Sequence, residues 1–213
     1  MISRHDKTSG PLRLGVLLSG GGRTLGNLLK LIDAGELSAR VSVVIASRQC
    51  RGVDIATSAG IPTHVVPRKE TLDPEYSTRI TALLEEAGCE LVVMAGFLSM
   101  WHIPPHYDGR VINIHPSLLP SFGGRGMFGC HVHEAVIAHG CKVSGCTVHF
   151  VNNRYDEGPI IIQKCVEVRF DDTPDDLGAR VFEQECIALP EAIRLFAAGR
   201  LELHGRRVNI LPE

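Results

Sequence analysis

Two short stretches of this sequence bring together the residue types that carbonyl chemistry needs. In Val111-Ile-Asn-Ile-His-Pro-Ser-Leu-Leu-Pro120, the apolar residues Val111, Ile112 and Ile114 predict the end of a buried strand. Pro116 cannot continue a hydrogen-bonded ladder, so a loop begins there. Asn113 and His115 are two positions apart, so on an extended chain both project from one face. An amide and an imidazole at the carboxyl end of a strand stand where α/β sheets hold ligands. Tyr155-Asp-Glu-Gly-Pro159 adds a carboxylate, Asp156, beside a turn marked by Gly158 and Pro159. Asn113, His115 and Asp156 together supply a donor for a developing oxyanion, a proton carrier and a charge that tunes it.

A second motif is Ser19-Gly-Gly-Gly-Arg-Thr24. A strand, a glycine turn and a helix N-terminus make an anion site, because free N–H groups and the helix dipole point at the ligand. The alternative is a tight turn with no ligand, and Arg23 favours the anion. No Gly-Lys-Ser/Thr follows, so it is not a P-loop, and the glycine spacing is not that of a dinucleotide fingerprint. Cys130, His131 and His133 lack the paired spacing of a zinc site, so no metal is expected. His149, mid-strand, reads as a half-buried hydrogen-bonded side chain, and His139 as a structural residue on a helix stripe. Asp171, Asp172, Asp175 and Asp176 read as helix-initiating acids.

The elements that must position these groups alternate along the chain. Residues 14–18 form an apolar strand ending in Gly20, Gly21 and Gly22. Leu25, Leu28, Leu29 and Ile32 make a helical stripe closed by Gly35. Strands follow at 41–46, 64–66, 91–95 and 111–114. Between them lie helices at 53–59 and behind the cap Asp73-Pro74-Glu75, with Tyr76, Ile80, Leu83, Leu84 and Ala87 on one face. Alternating strands and helices predict an α/β fold: a doubly wound, mostly parallel sheet. The second half breaks the pattern. A short helix over 132–139 precedes strands at 146–150 and 160–168, too close for a crossover helix and so antiparallel. A long helix starts at Thr173, with Pro190 inside it where a kink is expected. Residues 201–210 suit an edge hairpin.

Composition bounds the function. With 213 residues and 44% hydrophobic content, the chain suits one domain over 12–213, behind a polar tail at 1–11 that reads as disordered. A formal charge of -2 and a pI near 6.5 exclude a general nucleic-acid binder. The apolar runs are too short to span a bilayer. Seven scattered cysteines without a signal segment indicate reduced thiols and a cytoplasmic protein. Small molecules remain as the partners, the chain itself being a monomer or a homodimer.

Asn113-Ile-His-Pro-Ser-Leu-Leu-Pro120, with Thr147-Val-His-Phe-Val151 and Asp156-Glu-Gly-Pro-Ile160, closely resembles the folate-dependent formyltransferases. The resemblance runs from about Leu14 to Arg200 and implies their Rossmann-like fold. It also implies 10-formyltetrahydrofolate as co-substrate and no metal. The implied activity is formyl transfer to the amine of glycinamide ribonucleotide in purine synthesis. Another amine acceptor, or hydrolysis of the formyl donor, is the alternative within the family, and a non-catalytic folate- or nucleotide-binding protein is the alternative outside it. Members acting on transfer RNA carry an added C-terminal domain and the hydrolases an added N-terminal one, for which 213 residues leave no room.

By this resemblance Asn113, His115 and Asp156 are catalytic, His115 having its cationic form favoured by Asp156. Gly22, Arg23 and Thr24 form the loop for the ribonucleotide phosphate, and Glu185 contacts the ribonucleotide. Leu98, Ser99, Met100 and Trp101, together with Asn113, line the folate pocket, an apolar stretch suited to a flat pterin. Departures from the family pattern fall at Arg23-Thr24 (for Ser-Asn), Ser99 (often Arg) and Cys186 (for His). The glycine-rich loop Phe122–Gly129 is longer than in the shortest members and reads as a mobile flap.

Overall fold

A computed structural model describes residues 10–68 and 74–212. They fall in two compact units that divide between Ile112 and Asn113. The expected cap at Asp73 and most of the expected tail lie outside the described residues.

The first unit holds β1 (Leu12–Leu18), α1 (Arg23–Asp33), β2 (Ala39–Ala46), α2 (Arg51–Ser58), β3 (Thr63–Val65), α3 (Pro74–Glu86) and β4 (Leu91–Met94). Its strands run in the order β3-β2-β1-β4, all pairs parallel. Central strands of such a sheet are covered on both faces, which is why β1 and β4 read as unbroken apolar runs rather than alternating ones. Leu14, Val16, Leu17, Leu18, Leu91, Val92 and Val93 have no exposed surface, nor do Leu25 and Leu28 of α1 or Ile80 and Leu84 of α3. A short 3-10 turn at Pro105–Tyr107, not foreseen, leads to β5 (Val111–His115), which ends in the second unit.

The second unit continues with α4 (Cys130–Ala138), β6 (Val143–Phe150), β7 (Ile160–Glu167), α5 (Pro174–Ala197), β8 (Leu201–His204) and β9 (Arg207–Ile210). Its strand order is β5-β6-β7-β9-β8. β6 and β7 pair antiparallel, from Val143 opposite Glu167 to His149 opposite Ile160, as the short connection requires. The β8–β9 hairpin is also antiparallel. Thr173 and Asp176 form a reciprocal capping box at the start of α5, with Pro174 in the first turn. The helix then runs as one element through Pro190 to Ala197. Asp172 serves the same helix start, pairing with Arg180 and accepting from the Arg169 amide at 2.7 Å.

Candidate active site

β5 delivers Asn113 and His115 on one face, and the loop after β6 returns Asp156 to meet them. The His115 ring is 4% exposed, and its Nε2 stands 2.8 Å from the Phe122 carbonyl. A carbonyl only accepts, so Nε2 carries the proton in the neutral ring and the bare Nδ1 faces Asp156 Oδ1 at 3.7 Å. His149, 1% exposed, lies on the other side of that carboxylate, its Nε2 also 3.7 Å from Oδ1. Asp156 Oδ2 accepts from the Gly124 amide at 2.9 Å. Asp156 itself has a left-handed backbone (φ 54), as does Phe122 (φ 53). Such conformations in non-glycine residues cost energy and concentrate at functional sites.

The orientation of Asn113 follows from His149. His149 Nδ1 is 2.7 Å from the Phe150 carbonyl and must be its protonated nitrogen, which in the neutral ring leaves Nε2 as an acceptor. Nε2 lies 3.1 Å from Asn113 Nδ2, so one amide proton is taken and the amide is held with its NH2 end in the site. The second amide proton remains for an oxygen of a ligand. Gly158 permits this arrangement: a Cβ there would lie 1.7 Å from the Phe150 carbonyl oxygen that anchors His149.

The charges follow from burial and neighbours. Burial lowers the pKa of His115 and outweighs the opposing pull of Asp156 and the Phe122 carbonyl, while His149 lowers it further. This corrects the expectation of a favoured cationic His115. A ring in a desolvated pocket, 3.7 Å from the carboxylate rather than hydrogen-bonded to it, rests neutral. Asp156 is pushed upward by its own burial, yet His149, His115 and the Gly124 amide more than offset this, and its carboxyl is held below the usual range. The site thus pairs a neutral imidazole with an ionised carboxylate.

Residues 12–193 match the formyl transferase family. The chain belongs to this family. It is 37% identical over 180 residues to the chloroplastic phosphoribosylglycinamide formyltransferase of Arabidopsis thaliana, covering 81% of this chain. The chain spans 61% of the length of that relative. The structure of glycinamide ribonucleotide transformylase 1 from Symbiobacterium toebii superimposes with a TM-score of 0.87 at 38% identity, covering 96% of each chain. A formyltetrahydrofolate deformylase from Pseudomonas syringae pv. tomato superimposes with a TM-score of 0.85 at 25% identity, covering 96% of this chain and 67% of that one.

Within this family member, the glycine turn of the first unit has the form of an anion cradle. Gly22 is the N-cap of α1 with a left-handed backbone (φ 70), and no side chain caps the helix. A Cβ at residue 22 would lie 2.6 Å from Gly52 Cα, so glycine is required there by space as well as by φ. The first amides of α1, at Arg23 and Thr24, have no intrahelical acceptor. Arg23 is exposed and Thr24 half-buried. Buried Ser19 fixes the turn: its Oγ lies 2.6 Å from Ser47 Oγ and accepts from the Leu98 amide at 3.0 Å, and its carbonyl accepts from Arg48 Nε at 2.7 Å.

The segment 98–101 divides. Leu98 is 40% exposed, and Ser99 and Met100 are half-buried. Trp101 is 1% exposed, donates Nε1–H to Thr81 Oγ1 at 3.1 Å and meets Tyr107 edge-on at 5.7 Å. Its ring belongs to the core of the first unit, which leaves Leu98, Ser99 and Met100 as the more accessible side chains of the segment. A large apolar ring gains more from burial than from partial exposure in a pocket, once its N–H has a partner.

Glu185, on α5, is half-buried and near enough to Cys146 to add to the burial that pushes that thiol up to about 12. The start of the glycine loop is tied to the site rather than free, since Gly124 holds Asp156. Cys130 and His131 are exposed and engage Glu134, whereas His133 is turned inward. His149 is the site member that the sequence reading assigned to structure alone. The signal was present in the spacing: on alternating β6 it shares a face with Thr147, which holds the loop after β5 through the Ser117 carbonyl (2.6 Å) and the Leu119 amide (3.0 Å).

Proposed function

We propose that this chain transfers the formyl group of 10-formyltetrahydrofolate to the amine of glycinamide ribonucleotide, giving formylglycinamide ribonucleotide and tetrahydrofolate. The observation that carries this reading is the Asn113–His149–Asp156–His115 cluster, with a spare amide proton and a neutral imidazole in one buried site. Attack of the amine nitrogen on the formyl carbon forms a C–N bond and turns the carbonyl into a tetrahedral oxyanion. Asn113 donates its free N–H to that oxygen, held in place beforehand by His149. The attacking nitrogen must lose a proton, and His115 Nδ1 takes it between the ring and Asp156, converting the facing pair into an ion pair. Return of a proton to the folate nitrogen lets the second C–N bond break, so no net proton is consumed.

In this reading the amides of Gly22, Arg23 and Thr24 hold the phosphate of the acceptor, and Glu185 accepts from its hydroxyls. Leu98, Ser99 and Met100 take the folate, with Trp101 as the support beneath. Seven free cysteines suit a reducing compartment, which is the cytoplasm in this reading.

The likeness to a deformylase supports a second reading, in which water replaces the amine. Turnover of 10-formyltetrahydrofolate with and without glycinamide ribonucleotide separates the two. Formyl loss that requires the amine and yields the formylated ribonucleotide supports transfer. Equal loss without the amine establishes hydrolysis and overturns the proposal.

A further inference from the structure

Phe122 occupies a backbone position that suits glycine. Its left-handed conformation (φ 53) is one that glycine adopts without cost and a side chain does not, and Gly123 and Gly124 follow directly. A turn with backbone duties alone would gain from glycine there, so the strain points to a use for the ring. That ring meets the ring of His139 edge-on, with centroids 5.3 Å apart and planes at 78°. His139 is the C-cap of α4, and its Nδ1–H donates to the Ala135 carbonyl at 2.8 Å. Phe122 is thereby moored to the end of a helix, outside the cluster of reacting groups.

The carbonyl of the same residue accepts from His115 Nε2–H at 2.8 Å. Two residues on, the Gly124 amide donates to Asp156 Oδ2 at 2.9 Å. One short loop thus holds both sides of the 3.7 Å gap between His115 Nδ1 and Asp156 Oδ1. It runs close against the carboxylate, since a Cβ on residue 123 would stand 3.3 Å from Asp156 Cβ. Ser117 Oγ fixes the approach to this loop by donating to the Ser121 carbonyl at 2.6 Å.

The position of the Phe122 carbonyl decides which nitrogen of His115 carries the proton. A carboxylate is a charged acceptor, and a ring free to approach Asp156 would donate to it from Nδ1. That tautomer has no lone pair at Nδ1 to take a proton from an amine. At 3.7 Å the carboxylate is beyond hydrogen-bond reach, whereas the carbonyl at 2.8 Å is within it, so Nε2 keeps the proton while the loop is moored. We propose that Phe122 is a positioning residue whose ring, moored on His139, holds its carbonyl on His115 Nε2 and keeps the Nδ1 lone pair available to the attacking amine. This inference rests on the role given to His115 in the proposed function.

The test is NMR of protein labelled at the histidine ring nitrogens, without substrate and at a pH where His115 is neutral. Its signals are assigned by their loss in His115→Asn, and kcat, folate KM and Tm are measured on the same variants. Phe122→Gly keeps the left-handed backbone and the carbonyl but removes the ring. Phe122→Tyr keeps the ring, and His139→Ala removes its mooring from outside the site. Expected in Phe122→Gly is a shift of His115 from the Nε2–H towards the Nδ1–H tautomer, with a fall in kcat of about ten- to a hundredfold, the scale of a displaced reacting group. Folate KM should stay within about twofold. Phe122→Tyr should match wild type in tautomer and rate, and His139→Ala should move both in the direction of Phe122→Gly by a smaller step.

An unshifted tautomer in Phe122→Gly overturns the proposal whatever its rate or Tm, and so does a kcat within about twofold of wild type. Equal losses in Phe122→Tyr and Phe122→Gly also overturn it, because the ring is then not what matters. Should Phe122→Gly not fold, a wild-type tautomer and kcat in His139→Ala overturn it. The tautomer is read without substrate, so a wild type that formylates no ribonucleotide overturns the proposed function on evidence separate from the tautomer. A wild type that transfers the formyl group, beside an unshifted Phe122→Gly, sinks this inference alone.

Discussion

His115 presents a bare Nδ1 to Asp156 Oδ1 at 3.7 Å while its Nε2 is held by the Phe122 carbonyl at 2.8 Å. The separation is too long for a hydrogen bond and short enough for a strong ion pair once Nδ1 takes a proton. Burial keeps the ring neutral at rest, and the carboxylate makes the protonated form accessible when a proton must be accepted. A neutral base with a facing counter-charge fits the amine attack proposed above.

His115→Asn removes that base while leaving the folate segment untouched. The expected result is a fall in kcat of about a hundredfold or more, the usual range for a general acid–base group, with folate KM nearly unchanged. Steady-state kinetics on the variant decides the matter. Retention of more than about a tenth of wild-type kcat would take His115 out of the mechanism.

Asp156→Asn tests the counter-charge. Asp156 raises the His115 pKa against a larger depression by burial, so its loss should lower that pKa further. The rate falls as His115 becomes protonated, so the acid limb of the kcat/KM profile should move to lower pH. An unmoved limb, with activity reduced evenly across the profile, would mean that Asp156 only anchors the loop through Gly124.

His149→Phe releases the Asn113 amide, since nothing then accepts its first proton. Loss of an oriented oxyanion donor costs about a hundredfold or more in kcat. His149→Gln, whose side-chain carbonyl can accept from Asn113, should recover part of the rate. Equal rates in the two variants would argue that Asn113 is oriented by other contacts.

The site also shapes stability against pH. His115 and His133 have folded pKa values below the ordinary 6.5, so the fold prefers their neutral forms. Their contribution is complete above 6.5 and is lost as pH falls below it towards their folded values. Asp156 is held below 3.8, so its contribution is present above 3.8 and fades only at more acid pH, through its folded value. Tm should therefore drop from pH 6.5 downwards, and the drop should be shallower in the double variant His115→Asn, His133→Phe. A slope identical in wild type and double variant would assign the acid sensitivity to other groups.

The parallel strands were legible because burial on both faces writes itself as unbroken apolar runs, as in β1 and β4. The antiparallel β6–β7 pair followed from the short gap between them. Same-face projection of Asn113 and His115 needed only the two-residue period of a strand. What escaped was set by tertiary surroundings. The resting charge of His115 depends on how deeply the pocket buries it, which spacing does not encode. Trp101 reads equally well as a ligand platform or as core, and the Thr81 hydroxyl decides for core. The sequence reads His149 as a half-buried strand residue, and nothing in its spacing reveals that its ring nitrogen holds Asn113.

The glycine turn carries the last prediction, where this chain departs from its family pattern. Arg23 is the first residue of α1, exposed, directly after the left-handed Gly22. The residue sits at the positive end of the helix dipole, where a bound anion would meet the backbone amides. If it reaches the phosphate of the acceptor, Arg23→Ala should raise the KM for glycinamide ribonucleotide and leave the folate KM nearly unchanged. A charge-assisted contact is worth about 1.5–3 kcal/mol, or roughly ten- to over a hundredfold in affinity. An arginine that stays in solvent contributes little, and the variant's acceptor KM would then remain within about twofold of wild type. The same variant assayed at raised salt sharpens the comparison, because screening weakens an exposed guanidinium contact more than it weakens amides buried against the ligand. A wild-type acceptor KM that rises steeply with salt, beside a flatter response in Arg23→Ala, assigns the phosphate to the side chain as well as to the turn. Parallel responses leave it to the backbone of Gly22, Arg23 and Thr24 alone.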